Sequence, residues 1–444
     1  MTEKFDLLLL NGIAMTPSGR MRADIGVKNG KISAIGDLSS APAKEIKDCM
    51  GLHILPGVID SQVHFREPGN EHKENLESGT LGAILGGVTG IFEMPNTNPL
   101  TTTVEAIQDK LSRAENRAWC HYAFYVGGTD TNAENLPELE KTRGCCGVKI
   151  FMGSSTGDLL SAEDSEIEKI LSQGYRRVAV HAEDEERLNQ RFALVEGGAD
   201  VRQHPVWRDV QTALKATKRV LNLAQKTGRR IHVLHITTAE EMTLLADYKN
   251  FATVEVTPQH LTLCAPQCYE DLGAYAQMNP PIREQKHQDA LWGGIQSGVV
   301  DVLGSDHAPH THAEKAAAYP NSPSGMTGVQ TLVPIMLDHV HHNRLTLERF
   351  VDLVCHGPQR IFGIVGKGRL CVGYDADFTI VDLKEHREIS NDWIKSKSGW
   401  TPYAGKKVTG WPKMTILMGK IAMENDVVLL PAQGKMIRFQ EENS

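Results

Sequence analysis

Short apolar runs recur along the middle of the chain, with amphipathic stretches between them. Eight such runs are rich in Val, Ile, Leu and Phe: Ile54 to Ile59, Val88 to Met94, Trp119 to Val126, Val148 to Phe151, Val178 to His181, Ile231 to His235, Ala252 to Thr257 and Val300 to Gly304. Runs of this length bounded by turn residues predict buried strands. Val104 to Glu115 and Leu214 to Gln225 instead space their apolar residues as a helix does. Strands alternating with helices predict a parallel sheet, and the count of eight predicts an α/β fold of the (β/α)8 barrel type over residues 54–364. A doubly wound open sheet is the alternative that the pattern admits.

On both flanks the pattern shortens to strand and turn. Phe5 to Leu10, Ala23 to Lys28 and Lys31 to Ile35 read as strands, the last two joined as a hairpin at Asn29-Gly30. Downstream, Leu347 to Ile361 has a helical period, Gly368 to Asp382 returns to strand and turn, and Met414 to Ala422 reads as a hairpin about Gly419-Lys420. Residues 1–53 and 365–434 are therefore expected to join in one composite β-sandwich domain beside the barrel. The polar tail from Lys435 is expected to fray.

Composition narrows the function classes. The formal net charge of -8 over 444 residues argues against nucleic-acid binding and against an anionic membrane surface. The first residues lack a basic segment, and Leu7 to Leu10 is too short for a signal sequence. No run is long enough to span a membrane. Eight cysteines with no C-x-x-C pair read as the thiols of a cytoplasmic protein. The adjacent Cys145 and Cys146 read as buried spectators.

The chemistry collects where the predicted strands end. In Val58 to Arg66, alternation places Asp60, Gln62, His64 and Arg66 on one face as far as the extended backbone holds. Met94-Pro95-Asn96-Thr97 follows the second run, Lys149 lies inside the fourth, and His181 ends the fifth. His235 ends the sixth, Pro258-Gln259-His260 follows the seventh, and Asp306-His307-Ala308-Pro309-His310 follows the eighth. Barrel enzymes build their sites at such C-terminal strand ends. Three histidines and an aspartate delivered there suit a zinc-type ion. His232 and His235 face opposite ways, and His235, nearer the strand end, is the better ligand candidate. His339, His341 and His342 read as a solvated helix face. Lys149 admits two readings: an ammonium paired with an acid, or an amine that takes up CO2 as a carbamate.

The chain is identified as resembling the dihydroorotases of the amidohydrolase superfamily. The resemblance rests on Gly57-Val58-Ile59-Asp60 through Phe65-Arg66-Glu67-Pro68-Gly69, Met94-Pro95-Asn96-Thr97-Asn98-Pro99, Val148-Lys149-Ile150-Phe151, Val180-His181-Ala182-Glu183, His232 to His235, Met278-Asn279-Pro280-Pro281-Ile282-Arg283 and Ser305 to His310. It implies that His64, a carbamate on Lys149, His181, His235 and Asp306 hold zinc. Asp306 would move the proton from the attacking water to the leaving nitrogen. Arg66, Asn96 and His310 would grip a substrate carboxylate, and Asn279 would contact the ring. The implied reaction is the reversible closure of N-carbamoyl-L-aspartate to L-dihydroorotate in pyrimidine synthesis. A homodimer or larger homo-oligomer is expected, with aspartate carbamoyltransferase as an admissible partner.

Two departures qualify that reading. Gln62 stands where the family has the first His of a His-x-His pair, and Gln259 stands within a Pro-His-His pattern. An amide oxygen is a weaker, neutral ligand than imidazole. One tight zinc at Lys149, His181 and His235 is therefore expected, with a weaker second position beside Gln62, His64 and Asp306. Two alternatives remain: an allantoinase- or hydantoinase-like cyclic amidohydrolase, and a catalytically impaired dihydroorotase-like partner of aspartate carbamoyltransferase.

Overall fold

The computed structural model describes residues 4–155 and 159–440. Eight parallel strands pair in chain order: β1 (Val58–Val63), β2 (Val88–Glu93), β3 (His121–Gly127), β4 (Cys145–Phe151), β5 (Val178–His181), β6 (Ile231–Val233), β7 (Ala252–Val256) and β8 (Val302–Leu303). All their residues are buried. Strands covered on both faces lose the apolar–polar alternation, which is why they read as short continuous runs. A parallel bridge between Val63 and His307 joins the two ends of the series and closes the (β/α)8 barrel. Outside it, helix Val210–Thr227 buries Ala213, Ala216, Val220, Leu221 and Ala224, one stripe at helical spacing. Its first turn is capped by Asp209, which accepts from the Thr212 backbone N–H.

Beside the barrel lie two more sheets. One has four strands in the order Lys31–Gly36, Asp24–Lys28, Phe5–Leu10, Ala43–Asp48. The other has seven, in which His53–Pro56 pairs antiparallel with Phe378–Glu388, so chain from both ends shares one sheet. Leu7, Val27, Ile54, Phe378 and Ile416 fill the core between the two sheets.

Several boundaries differ from the sequence reading, each for a physical reason. The first apolar run is two strands: His53–Pro56 belongs to the seven-stranded sheet and Val58–Val63 to the barrel. The chain passes between them at Gly57, where a Cβ would stand 2.3 Å from Thr89 Oγ1; only glycine tolerates that approach. Strand Ala43–Asp48, Ala-Lys-Glu-Ile-Lys-Asp, is a largely exposed, charged edge strand, so it carries no apolar pattern to read. Helix Leu347 to Ile361 is interrupted by a wide turn at Asp352–His356, just before Pro358, which has no N–H to give the preceding turn. The tail does not fray as far as Gln440: Ile437 and Phe439 are buried, and Phe439 packs edge-on against Phe92. Among the described residues no helix is long and apolar enough to cross a membrane.

Candidate active site

The strand-end residues converge. Gln62, His64, Lys149, His181, His235, Asn279 and Asp306 line one small cavity of about 20 Å³, with Phe151, Ser155, Ala308, Ser324 and Gly325 completing its wall. Three of the contributing backbones leave the extended conformation just past their strands, at Arg66 (φ 63°), His235 (φ 36°) and Asp306 (φ 45°). Such left-handed positions are uncommon for residues other than glycine, and they re-aim a side chain that strand alternation would send elsewhere. The expected common face of Asp60, Gln62, His64 and Arg66 accordingly does not hold throughout. The Asp60 carboxylate is fully buried, where it accepts from the backbone N–H groups of Ser305 (2.9 Å) and Gln62 (3.2 Å), a peg between β1 and β8. Burial pushes that carboxyl up to about 7.

Two pairs of donor atoms face the cavity. His181 Nδ1 lies 3.1 Å from His235 Nε2. Two imidazole nitrogens bound to one tetrahedral zinc stand roughly 3.3 Å apart. His181 Nε2 meets Glu183 Oε2 at 3.0 Å, and buried Arg208 pairs with the same carboxylate. Nε2 must then carry the proton, which leaves the Nδ1 lone pair turned towards His235. On the other side, His64 Nδ1 donates to Asn96 Oδ1 (2.8 Å), and its Nε2 lies 3.3 Å from Asp306 Oδ1. Gln62 Nε2 donates to that same oxygen at 3.0 Å. Among the described residues no three His, Cys, Asp or Glu side chains gather as a metal-holding group by themselves.

Lys149 completes the set. Its ammonium is fully buried, 4.4 Å from the Phe151 ring centre, with no hydrogen-bond partner among the described residues. The paired-acid reading of this lysine therefore fails. Burial lowers it to about 7, which favours the neutral amine, the form that attacks CO2. Gln62 Oε1 and His235 Nδ1 are also buried without a partner. Buried polar atoms left open in this way are costly. Two imidazoles at ligand spacing, a bare lysine amine able to form a carbamate and an open amide oxygen are together a donor set that would fit a zinc-type ion.

Next to this wall lies a cationic corner. Arg66 is buried, and its Nε donates to the Pro309 carbonyl at 3.3 Å. Its Nη2 lies 3.2 Å from His310 Nε2, which also meets the Ser324 carbonyl at 3.0 Å. Among the described residues no carboxylate forms an ion pair with Arg66. Asn279 Oδ1 is 3.1 Å from His204 Nε2, which holds the amide at the cavity wall.

Glu183 and Arg208 were not among the expected site residues. Glu183 had a signal, a carboxylate two residues beyond a candidate ligand. Arg208 had none, because its partner arrives from another loop. His232 is packed in the core against Thr253 Oγ1 (2.8 Å). His339 departs from the expected solvated face: it is partly buried, bonded to Thr262 Oγ1 at 2.9 Å and packed on Trp292. Cys145 and Cys146 are buried, and burial raises the Cys145 thiol to about 11.

If His181 ligates a metal, Glu183→Gln should keep the fold and weaken metal binding by roughly 10- to 100-fold, the usual cost of losing a carboxylate behind a ligating histidine. Competition with a chelator measures it; unchanged affinity would mean that Glu183 does not set the His181 tautomer.

Known proteins match this chain over nearly its whole length. The amidohydrolase family profile matches residues 53–422. A dihydroorotase from Methanosarcina mazei is 35% identical over 431 residues, covering 94% of each chain. An allantoinase from Deinococcus radiodurans is 33% identical over 449 residues, covering 98% of each. Among solved structures, an L-hydantoinase (dihydropyrimidinase) from Arthrobacter aurescens superposes with a TM-score of 0.93 at 30% identity, over 98% of this chain and 100% of that one.

Proposed function

The chain belongs to the amidohydrolase family, and on that premise we propose how it acts as a hydrolase of cyclic amides. It is a dihydroorotase, which opens L-dihydroorotate to N-carbamoyl-L-aspartate and closes it again. One observation carries this choice among cyclic amides: the Arg66 guanidinium is buried beside the site with no carboxylate paired to it among the described residues. A buried cation needs an anion. Dihydroorotate brings a carboxylate that suits the planar guanidinium fork; the ring of a simple hydantoin brings none.

His181, His235 and the Lys149 carbamate would hold one tight zinc, with a weaker position at His64, Asp306 and Gln62. When bound, zinc polarises the ring amide carbonyl and acidifies the attacking water. Asp306 takes the proton from that water and delivers it to the leaving ring nitrogen. Arg66, Asn96 and His310 orient the substrate through its carboxylate, and Asn279 contacts the ring. Asn96 also orients His64 through their 2.8 Å hydrogen bond. The reaction would serve pyrimidine synthesis in the cytoplasm, in a homo-oligomer, with aspartate carbamoyltransferase as the partner to test.

Gln62 motivates the unequal metal positions. Its Nε2 donates to Asp306 Oδ1 at 3.0 Å, occupying an oxygen that a second metal would use. Gln62→His should raise zinc per chain from about one towards two without loss of activity. Elemental analysis of protein purified without added metal reads this directly; two tightly held ions in the unaltered chain would contradict it. The functional reading itself is tested by incubating purified protein with L-dihydroorotate and, separately, with N-carbamoyl-L-aspartate. Each should yield the other, and inertness in both directions would sink the reading.

A further inference from the structure

Lys73 lies in the loop after β1, outside every residue so far given a role. Its Nζ is 3.3 Å from His310 Nδ1 and 2.8 Å from the Glu314 carboxylate. Its side chain is 14% exposed, so the contact is made largely out of water. Thr311 N–H and Oγ1 fix Glu314 from behind, at 2.8 and 2.9 Å. The His310 backbone is held as well, its carbonyl accepting from Trp400 Nε1 at 2.7 Å. The imidazole therefore stands in one place: Lys73 Nζ and, at 4.0 Å, Glu314 Oε2 face its Nδ1, and Arg66 Nη2 and the Ser324 carbonyl face its Nε2.

Those neighbours decide where its proton sits. A lysine ammonium only donates, so His310 Nδ1 must accept. A neutral imidazole that accepts at Nδ1 carries its hydrogen on Nε2, and the Ser324 carbonyl at 3.0 Å agrees. Arg66 Nη2, 3.2 Å from that Nε2, can then find no acceptor in the ring. The ring N–H is taken up by the Ser324 carbonyl, and of the Arg66 nitrogens only Nε reaches an oxygen among the described residues. A guanidinium N–H left without an acceptor is the complement of an anion's oxygen.

We propose that Lys73 is a positioning residue for substrate specificity: by donating to His310 Nδ1 it holds the ring hydrogen on Nε2, so that the ring cannot accept from Arg66 and the guanidinium stays open to a carboxylate on the ring substrate. Its charge adds to that of Arg66, partly offset by Glu314. Lys73 touches neither the substrate nor the metal ligands, so its effect falls on binding of the acid group and not on the chemical step. This inference rests on the dihydroorotase reading and narrows it to a ring that carries an anion.

Lys73→Met keeps the length of the side chain and removes both the hydrogen bond and the charge. Expected is a rise of at least tenfold in KM for L-dihydroorotate, with kcat within about threefold and zinc content unchanged. The Kd of orotate, measured by calorimetry, should rise in parallel, while weak binding of uracil, the same ring without the carboxylate, stays put. Lys73→Arg should recover most of the loss. Lys73→Gln keeps an N–H for Nδ1 without the charge and should fall between. If Lys73→Met fails to fold, as judged by thermal melting, Lys73→Ala takes its place: an Ala variant equal to wild type in orotate affinity would overturn the proposal. So would a Met variant with unchanged KM, or one in which kcat alone falls or orotate and uracil weaken equally. Failure of wild-type protein to process dihydroorotate would instead remove the functional reading on which the proposal stands.

Discussion

Replacing Lys149 with methionine should abolish turnover of L-dihydroorotate, by at least about 10⁴-fold, and should leave the protein no less stable when both forms are metal-free. The two halves have one cause. Lys149 Nζ is buried on β4 with no partner among the described residues, and an unpaired ammonium in that position destabilises the fold. Methionine fills a similar volume without that cost. A lysine kept only for structure would be paired with an acid, and its loss would lower the melting temperature. The activity loss would follow from the proposed carbamate, which only an amine can form and which would supply an anionic metal ligand. A loss of this size corresponds to roughly 5.5 kcal/mol of transition-state stabilisation. Thermal melting of the chelated proteins beside a steady-state assay checks both. Retained activity in Lys149→Met would remove the carbamate from the mechanism; a large drop in metal-free stability would return Lys149 to a structural role.

Arg66→Ala should lower kcat/KM for L-dihydroorotate by roughly 100-fold or more while zinc content stays at the wild-type level. The substrate carboxylate would enter a site that has lost its guanidinium, at a cost of about 3 kcal/mol. His310 and Lys73 would remain but cannot supply the two-pronged contact. Because Arg66 points at Pro309 and His310 and not at the ligand pairs, metal affinity gives an independent control. Unchanged kcat/KM would show that the carboxylate sits elsewhere; loss of zinc along with activity would show that Arg66 supports the metal shell.

What could be read from sequence follows from how each feature is encoded. The barrel strands were visible because burial on both faces demands continuous apolar runs, and the ligand candidates were visible because they close those runs. Gly57 hid the boundary between the two units: the run from Ile54 to Ile59 is unbroken in hydrophobicity although its halves serve different sheets. The edge strand Ala43–Asp48 faces water and so leaves no apolar signature. Ile437 and Phe439 sit in a polar tail, and only the tertiary fold reveals that they pack beneath the barrel against Phe92. At the site, His64, His181, His235 and Asp306 were legible one by one, whereas their tautomers were not. Those depend on Asn96, Glu183 with Arg208, and, for His310, Lys73. Each such pairing joins loops far apart in the chain, except His181 with Glu183, whose spacing of two residues could have been noticed. The departures at Arg66, His235 and Asp306 into left-handed backbone also defeat simple alternation, because they occur two or three residues past the strand ends, where the pattern no longer constrains direction.

The central claim is that this cyclic amidohydrolase selects a ring bearing a carboxylate. The most direct measurement is kcat/KM for L-dihydroorotate set against allantoin and an unsubstituted hydantoin, on one zinc-loaded preparation. Dihydroorotate should be preferred by at least about 100-fold, the contribution expected of a buried guanidinium meeting its carboxylate. Equal or better turnover of allantoin or hydantoin would contradict the account.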